Sequence, residues 1–177
     1  MSRQIHLARV TARPRRAIPG QGLFDPSVTQ LRVHPGDLDV FRHVNNGVYL
    51  QMMDIARTNL IADLGGAQAL RKRGWYPVVA SSTVSYKRSL RLWDRFAITT
   101  RVLGWDPRVV YVEQEFTRGA QHVARAWVAG RFLSRTGDRV PAPDIATLLG
   151  GPSASPPLPE DVAAWARAVG VAHRDPA

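Results

Sequence analysis

The sequence has no cysteine among its 177 residues. This absence excludes disulfides, thiolate metal sites and a cysteine nucleophile, and it is typical of a protein from a reducing compartment. The chain also lacks any apolar run near the eighteen or so residues that a membrane span needs. Its first residues, MSRQIHLARV, do not contain the apolar segment of a secretory signal. We therefore expect a cytoplasmic protein with no membrane span.

Lysine is almost missing, since only Lys72 and Lys87 accompany twenty-two arginines. Acidic residues are also few, so the net charge is +10. Such a balance favours polyanionic partners, whether nucleic acid, anionic lipid or a phosphorylated small molecule. Apart from a loose group at 3–16, the arginines are dispersed along the chain, which is typical of a solvated surface. We therefore do not expect the protein to bind nucleic acid.

Several familiar catalytic motifs are absent as well. The sequence contains no G-x-S-x-G elbow, no P-loop, no G-x-G-x-x-G and no H-E-x-x-H. Its five histidines are scattered without the spacing of metal ligands, so we predict no metal site.

The chain divides into three segments by composition. Residues 1–26 contain Pro14, Pro19 and Pro26 with little periodicity, and they predict an extended basic N-terminal arm. Residues 27–136 carry regular strand and helix patterns and predict the main domain. Residues 137–177 are rich in proline and predict a C-terminal appendage with two short helices, at DIATLLG and LPEDVAAWARAVG.

The main domain begins with an alternating strand, SVTQLRVH, and from Gly47 its apolar residues follow a helical period. Four long stretches rich in β-branched and aromatic residues come next, at 76–88, 94–105, 108–119 and 122–134. The short turns between them require antiparallel pairing. The pattern predicts an α+β fold in which a five-stranded antiparallel sheet wraps around one long central helix. Unpaired sheet edges favour at least a dimer.

One connection, DLDVFRHVNNGVY at 37–49, holds more polar residues than a turn requires. An asparagine would account for a helix cap. The start of the helix near Asn46, Gly47 and Val48 also offers backbone N–H groups that can polarise a carbonyl oxygen. A carboxylate just upstream can act as general base or nucleophile on that carbonyl. His43 could orient the water or share its proton.

The same segment resembles the hotdog-fold thioesterases of the 4-hydroxybenzoyl-CoA thioesterase type. The resemblance rests on D-x-D, H-V-N-N, G-x-Y-L and D-x-A-R at 37–39, 43–46, 47–50 and 54–57. VVASSTVSYKRSLRLWDRF and RVLGWDPRVVYVEQEF extend it and look like the thioesterase superfamily member six-like branch, over about residues 28–135. The resemblance implies a hotdog fold, hydrolysis of acyl-CoA, no cofactor besides the coenzyme A of the substrate, and a site formed by a homo-oligomer.

The resemblance also implies that Asp39 is the catalytic carboxylate. His43, Asn45, Asn46 and Gly47 complete the predicted catalytic set. The predicted substrate contacts are Val48, Tyr49, Ser81, Ser82, Lys87, Arg88 and Arg91, of which the last three would bind the phosphates of coenzyme A.

This chain departs from the related plant acyl-carrier-protein thioesterases at Phe41, where those enzymes have asparagine. Some hotdog enzymes use a further Glu or Cys, for which the second long strand offers only Ser81, Ser82 and Thr83. A non-catalytic acyl-CoA-binding hotdog protein is therefore the alternative function. Asp37 is predicted to be structural. The sequence leaves open whether Asp39 acts as base or nucleophile, and whether the oligomer is a dimer or a tetramer.

Overall fold

The structure, a computed structural model, describes residues 2–172. Met1 and residues 173–177, the end of the predicted C-terminal appendage, lie outside the described residues.

Within residues 2–172 the chain forms five α-helices, six strands and one short 3-10 turn at Pro35–Asp37. In chain order the helices and strands are α1 Arg3–Ala12, β1 Ser27–Arg32, α2 Asn46–Asp63, α3 Gly66–Arg73, β2 Tyr76–Tyr86, β3 Arg95–Trp105, β4 Val110–Arg118, β5 Gln121–Leu133, β6 Arg139–Val140, α4 Ala142–Leu148 and α5 Glu160–Ala168.

The strands build one antiparallel sheet in the order β1-β3-β4-β5-β2. The four long strands follow one another through short connections, as predicted. Beyond the five predicted strands, the two-residue β6 pairs with the end of β5, past the residue that pairs with the first residue of β4. The sheet therefore has β1 at one edge and β2 at the other.

Helix α2 packs against the inner face of this curled sheet and forms the centre of the core. Met52, Met53 and Ala56 on the helix are almost fully buried, and they share a cluster with Phe96 and Phe116 of the sheet. Alternation along the strands directs such apolar side chains to one face. The predicted α+β hotdog architecture is confirmed.

The outer face of the sheet has a second, smaller cluster that uses the C-terminal segment. Val109 and Tyr111 pack there against Val162 and Ala166 of α5. Both predicted short helices of the appendage are present, as α4 and α5. The appendage therefore covers strand residues that would otherwise expose apolar side chains to water.

The predicted extended arm at 1–26 is wrong for residues 3–12, which form α1. The hydroxyl of Ser2 accepts a hydrogen bond from the Ile5 N–H at 3.3 Å and caps the helix. Arg3 is buried against the main domain. Packing on the domain stabilises this helix, and the weak periodicity of the sequence does not show such packing.

Within residues 2–172, one edge of strand β2 has no neighbouring strand, and apolar side chains are exposed there. Val79 is 48% exposed and Tyr76 is 44% exposed.

A search of the helices within residues 2–172 finds none with the length and hydropathy of a membrane span.

Candidate active site

The loop before α2 is folded as a tight turn. Leu38 and Val44 form an antiparallel bridge, and His43 forms another with Arg91. The Asp39 N–H donates to the His43 carbonyl at 2.8 Å, which closes the turn. Arg42 takes a left-handed conformation, φ 63°, at the exposed tip. The turn therefore fixes Asp39 and His43 opposite each other on its two sides.

The carboxylate of Asp39 is half-buried and held by backbone N–H groups. Its Oδ1 accepts hydrogen bonds from the Phe41 N–H at 2.9 Å and from the His43 N–H at 3.2 Å. Within residues 2–172, its Oδ2 accepts none, and no cation pairs with this carboxylate. One oxygen is thus fixed, and the other is free to act on water or on a carbonyl carbon.

Asp37, the other aspartate of the motif, has a structural position. It is 3% exposed, and both its oxygens accept hydrogen bonds from the Arg3 guanidinium, at 2.9 and 2.6 Å. Its Oδ2 also accepts the His34 N–H at 2.7 Å, and its carbonyl accepts the Asn45 N–H at 2.9 Å. Asp37 is therefore held by structural contacts, as the sequence predicts.

Asn45 caps α2. Its Oδ1 accepts the Gly47 N–H at 2.8 Å, and its carbonyl accepts the Val48 N–H at 2.9 Å. Among the described residues, nothing accepts a hydrogen bond from the Asn46 N–H. A Cβ at position 47 would lie 3.3 Å from the capping oxygen, so the glycine relieves crowding at the cap. Asn46 therefore presents the available N–H at the positive end of the helix.

Tyr49 packs beneath this cap. It is 2% exposed, and its ring lies 5.0 Å from that of Tyr86 and 5.2 Å from that of Phe116. Burial raises the pKa of Tyr49, and a backbone hydrogen bond at Leu90 partly offsets this. Tyr49 is therefore mainly a packing residue. Val48, also a predicted substrate contact, is half-buried against the same core.

Tyr86 is a site residue that the motif did not indicate. Its hydroxyl donates a hydrogen bond to the carbonyl of Asn46 at 3.2 Å, although β2 and α2 are far apart in sequence. Burial raises the pKa of Tyr86, so the hydroxyl keeps its proton near neutral pH. The only sequence signal was its place at the end of a strand beside Lys87 and Arg88.

The predicted contacts on β2 and after it divide between the two faces of the sheet. Ser82 lies on the same face of the strand as Val84, which packs on the inner core. Ser81 lies on the other face. Lys87 borders a polar depression on the outer face beside Trp127. Arg88 and Arg91 are exposed. The backbone of Arg91 pairs with that of His43, in the loop that holds Asp39.

An apolar cavity of about 430 Å³ lies between α2, the inner face of the sheet, α1 and α4. Many of its wall residues are themselves buried, including Val128 at 1% and Ile145 at 1% exposed. The cavity is partly open to solvent on the side of Val79, which is 48% exposed, and it is concave and apolar, as ligand pockets are. Asp39 does not line this cavity.

The polar part of the cavity wall is centred on Arg57. This guanidinium forms an ion pair with Asp54 and donates to Oε1 of Gln114 at 2.6 Å. Gln114 is fully buried and donates in turn to the Met53 carbonyl and to the Thr100 hydroxyl, both at 3.1 Å. Burial lowers the pKa of Arg57, and the Asp54 carboxylate partly offsets this. Asp54 is therefore neutralised by a fixed partner, unlike Asp39.

Comparison with known proteins identifies the family of the chain. Residues 33–166 match the family model described as Thioesterase-like superfamily. The chain is 36% identical to Protein THEM6 of Xenopus laevis over 135 residues, which are 75% of this chain and 63% of that protein. It is 31% identical to the Long-chain acyl-CoA thioesterase FadM of Escherichia coli (strain K12) over 74 residues, which are 42% of this chain and 56% of that protein.

A solved structure shares the fold. The crystal structure of the YbaW probable thioesterase from Escherichia coli aligns with a TM-score of 0.64 and 24% sequence identity, over 70% of this chain and 96% of that one. The chain spans less than two thirds of the length of either curated relative. Because the family model matches most of the chain, this protein belongs to the thioesterase-like superfamily.

Proposed function

We propose that this protein hydrolyses acyl-CoA thioesters to the free acid and coenzyme A. The observation that carries the proposal is the carboxylate of Asp39, held through Oδ1 by two backbone N–H groups beside the N-terminus of α2. Asp54 lies on the cavity wall, and its ion pair with Arg57 makes it a poorer base than Asp39. Membership of the thioesterase-like superfamily supports the same reaction.

The proposed reaction adds water across the thioester. Asp39 takes a proton from water, the water oxygen forms a bond to the carbonyl carbon, and the C–S bond then breaks. Asp39 passes this proton to the departing thiolate, so coenzyme A leaves as the thiol. The acid product loses its own proton to solvent and leaves as carboxylate. In the second form of the mechanism, Asp39 attacks the carbonyl itself and water hydrolyses the resulting anhydride. His43, at the other side of the turn, would orient the water in either form.

The negative charge that develops on the carbonyl oxygen needs a hydrogen-bond donor. The Asn46 N–H is the proposed donor, because it lies at the positive end of α2 and no acceptor within residues 2–172 pairs with it. Asn45 and Gly47 then have a supporting role, since their hydrogen bond fixes the first turn of the helix. The Tyr86 hydroxyl supports the same turn through the Asn46 carbonyl.

The apolar cavity is the proposed acyl site. Asp54, on its wall, stands eight residues after Asn46, which corresponds to about 12 Å along the helix at 1.5 Å per residue. A straight acyl chain could thus extend from a thioester at the helix N-terminus along α2 into the cavity. The name of the FadM relative, a long-chain acyl-CoA thioesterase, agrees with an aliphatic substrate.

The site is proposed to be completed in a homo-oligomer. The free edge of β2 can pair with the β2 of a second copy, which would cover Val79 and Tyr76. The exposed Arg88 and Arg91 are then placed to bind the phosphates of coenzyme A, whereas Lys87 would act from the outer face. Such a protein needs no cofactor besides the coenzyme A of its substrate. The cytoplasmic location stays a prediction.

The test is release of free thiol from straight-chain and aromatic acyl-CoAs. Wild-type protein is expected to release coenzyme A from at least one class. Absence of turnover on every substrate would overturn the proposal.

A second function, acyl-CoA binding without hydrolysis, is favoured by one observation. The side chain of Phe41 is 77% exposed and supplies no polar group to the site. Calorimetry separates the two functions, because this alternative predicts acyl-CoA binding with no release of thiol.

A further inference from the structure

Helix α1 lies outside the residues that the family model matches, 33–166, yet it takes part in the cavity. Leu7 and Thr11, one helical turn apart, line the cavity together with Ile61 of α2 and with Leu64, which follows that helix. Leu7 is half-buried, whereas Ile5 of the same helix is 57% exposed and does not line it. One face of α1 is therefore a wall of the proposed acyl site.

Two ion pairs hold this helix in place at its two ends. At the first end, Arg3 binds Asp37 through two hydrogen bonds, and its Nη2 also donates to the Arg32 carbonyl at 2.7 Å. Both partners of this pair have side chains only 3% exposed. Bidentate pairs of arginine with carboxylate are strong and directional.

The second pair lies just after the helix, where Arg15 binds both oxygens of Asp63. Asp63 is the last residue of α2, and its side chain has no exposed surface. Arg15 also donates to the Ser27 hydroxyl at 3.0 Å and to the Val28 carbonyl at 3.1 Å. Because these pairs fix α1 to the turn at Asp37 and to the last residue of α2, the wall between them cannot easily move away from a long ligand.

We propose that α1 is a fixed wall of the acyl site and that Leu7 sets the longest straight acyl chain that the cavity accepts. This inference rests on the proposed function for the identity of the ligand. A smaller side chain at position 7 lengthens the cavity, and a larger one shortens it. A change of one methylene in an apolar pocket alters kcat/KM by about tenfold or more.

The experiment measures kcat/KM for a series of straight-chain acyl-CoAs from short to long. Leu7→Ala is expected to raise the relative kcat/KM of the longest chains. Leu7→Trp is expected to lower kcat/KM for the longest chains about tenfold or more and to change kcat/KM for short chains much less. Ile5→Ala and Ile5→Trp are the matched controls on the same helix, and they should keep the wild-type profile.

Binding of the free fatty acids of the same series, measured by calorimetry, gives a readout that needs no turnover. If wild type releases no coenzyme A but Leu7→Trp still weakens binding of long chains selectively, the proposed function fails and the role of Leu7 stands. If folded Leu7→Ala and Leu7→Trp proteins, checked by thermal melting, keep the wild-type chain-length profile in turnover and in binding, the inference is overturned. Wild type that neither hydrolyses nor binds any chain overturns both.

Discussion

The backbone N–H of Phe41 donates a hydrogen bond to Oδ1 of Asp39 at 2.9 Å, while the phenyl ring points to solvent. Here the main chain of the turn provides the hydrogen bond to the carboxylate. The hydrophobic residue at position 41 therefore does not leave Asp39 without support.

This relationship predicts different results for two substitutions of Phe41. Phe41→Asn keeps the N–H and should retain kcat near the wild-type value. Phe41→Pro removes the N–H, and a hydrogen bond to a charged group is worth about 1.5–3 kcal/mol, so kcat should fall by about tenfold or more. Steady-state kinetics on the best acyl-CoA substrate measures both values. Equal kcat for the two folded variants would show that this hydrogen bond does not matter.

The buried pair between Arg3 and Asp37 predicts a large effect on stability. Arg3→Met leaves the Asp37 carboxylate buried without its cation, which costs about 3–5 kcal/mol in the free energy of unfolding. Urea unfolding followed by circular dichroism measures this difference. Arg9→Met, on the exposed side of the same helix, is the matched control and should change it little. A loss for Arg3→Met no larger than the control would contradict the role of α1 as a fixed element.

The free edge of β2 predicts the oligomeric state. Val79→Lys places a charge on that edge and should convert dimers to monomers, because pairing would bury the charge beside a second strand. Val169→Lys is the control, since Val169 is 46% exposed but lies at the end of α5. Light scattering coupled to gel filtration measures the mass. A Val79→Lys protein that stays dimeric would place the interface elsewhere.

His6 on α1 predicts a pH dependence of stability. Burial, with Arg3, Arg9 and His34 nearby, lowers the pKa of His6 from its ordinary 6.5. The unfolded chain therefore binds the proton more readily, and the free energy of unfolding should fall as the pH drops below 6.5. Urea unfolding on both sides of this pH measures the effect. His6→Gln should remove part of this fall, and an unchanged profile would exclude His6 as its source.

The sequence predicted the fold well because its signals are local. Alternating strands, short turns and one long amphipathic helix leave few arrangements other than a sheet wrapped around a helix. The strand order also follows from the short connections between β3, β4 and β5. Neither result needs knowledge of long-range contacts.

Parts of the candidate site were not predictable because they depend on residues far apart in sequence. Tyr86 contacts Asn46 across forty positions, and Arg3 contacts Asp37 across thirty-four. The periodicity of α1 is weak, so only its packing on the domain shows that it is a helix. Whether Lys87 lies on the inner or the outer face depends on the register of β2, which is shifted at a bulge between Val79 and Ser81.

The most direct test of the proposed mechanism is the acyl-CoA thiol-release assay on Asp39→Asn beside wild type. Asparagine has nearly the same shape but cannot accept a proton or attack a carbonyl, so kcat should fall about 10²- to 10⁴-fold. Asp138→Asn, a substitution of an exposed carboxylate in the connection between β5 and β6, should keep wild-type kcat. If Asp39→Asn is folded and as active as wild type, Asp39 is not the catalytic carboxylate.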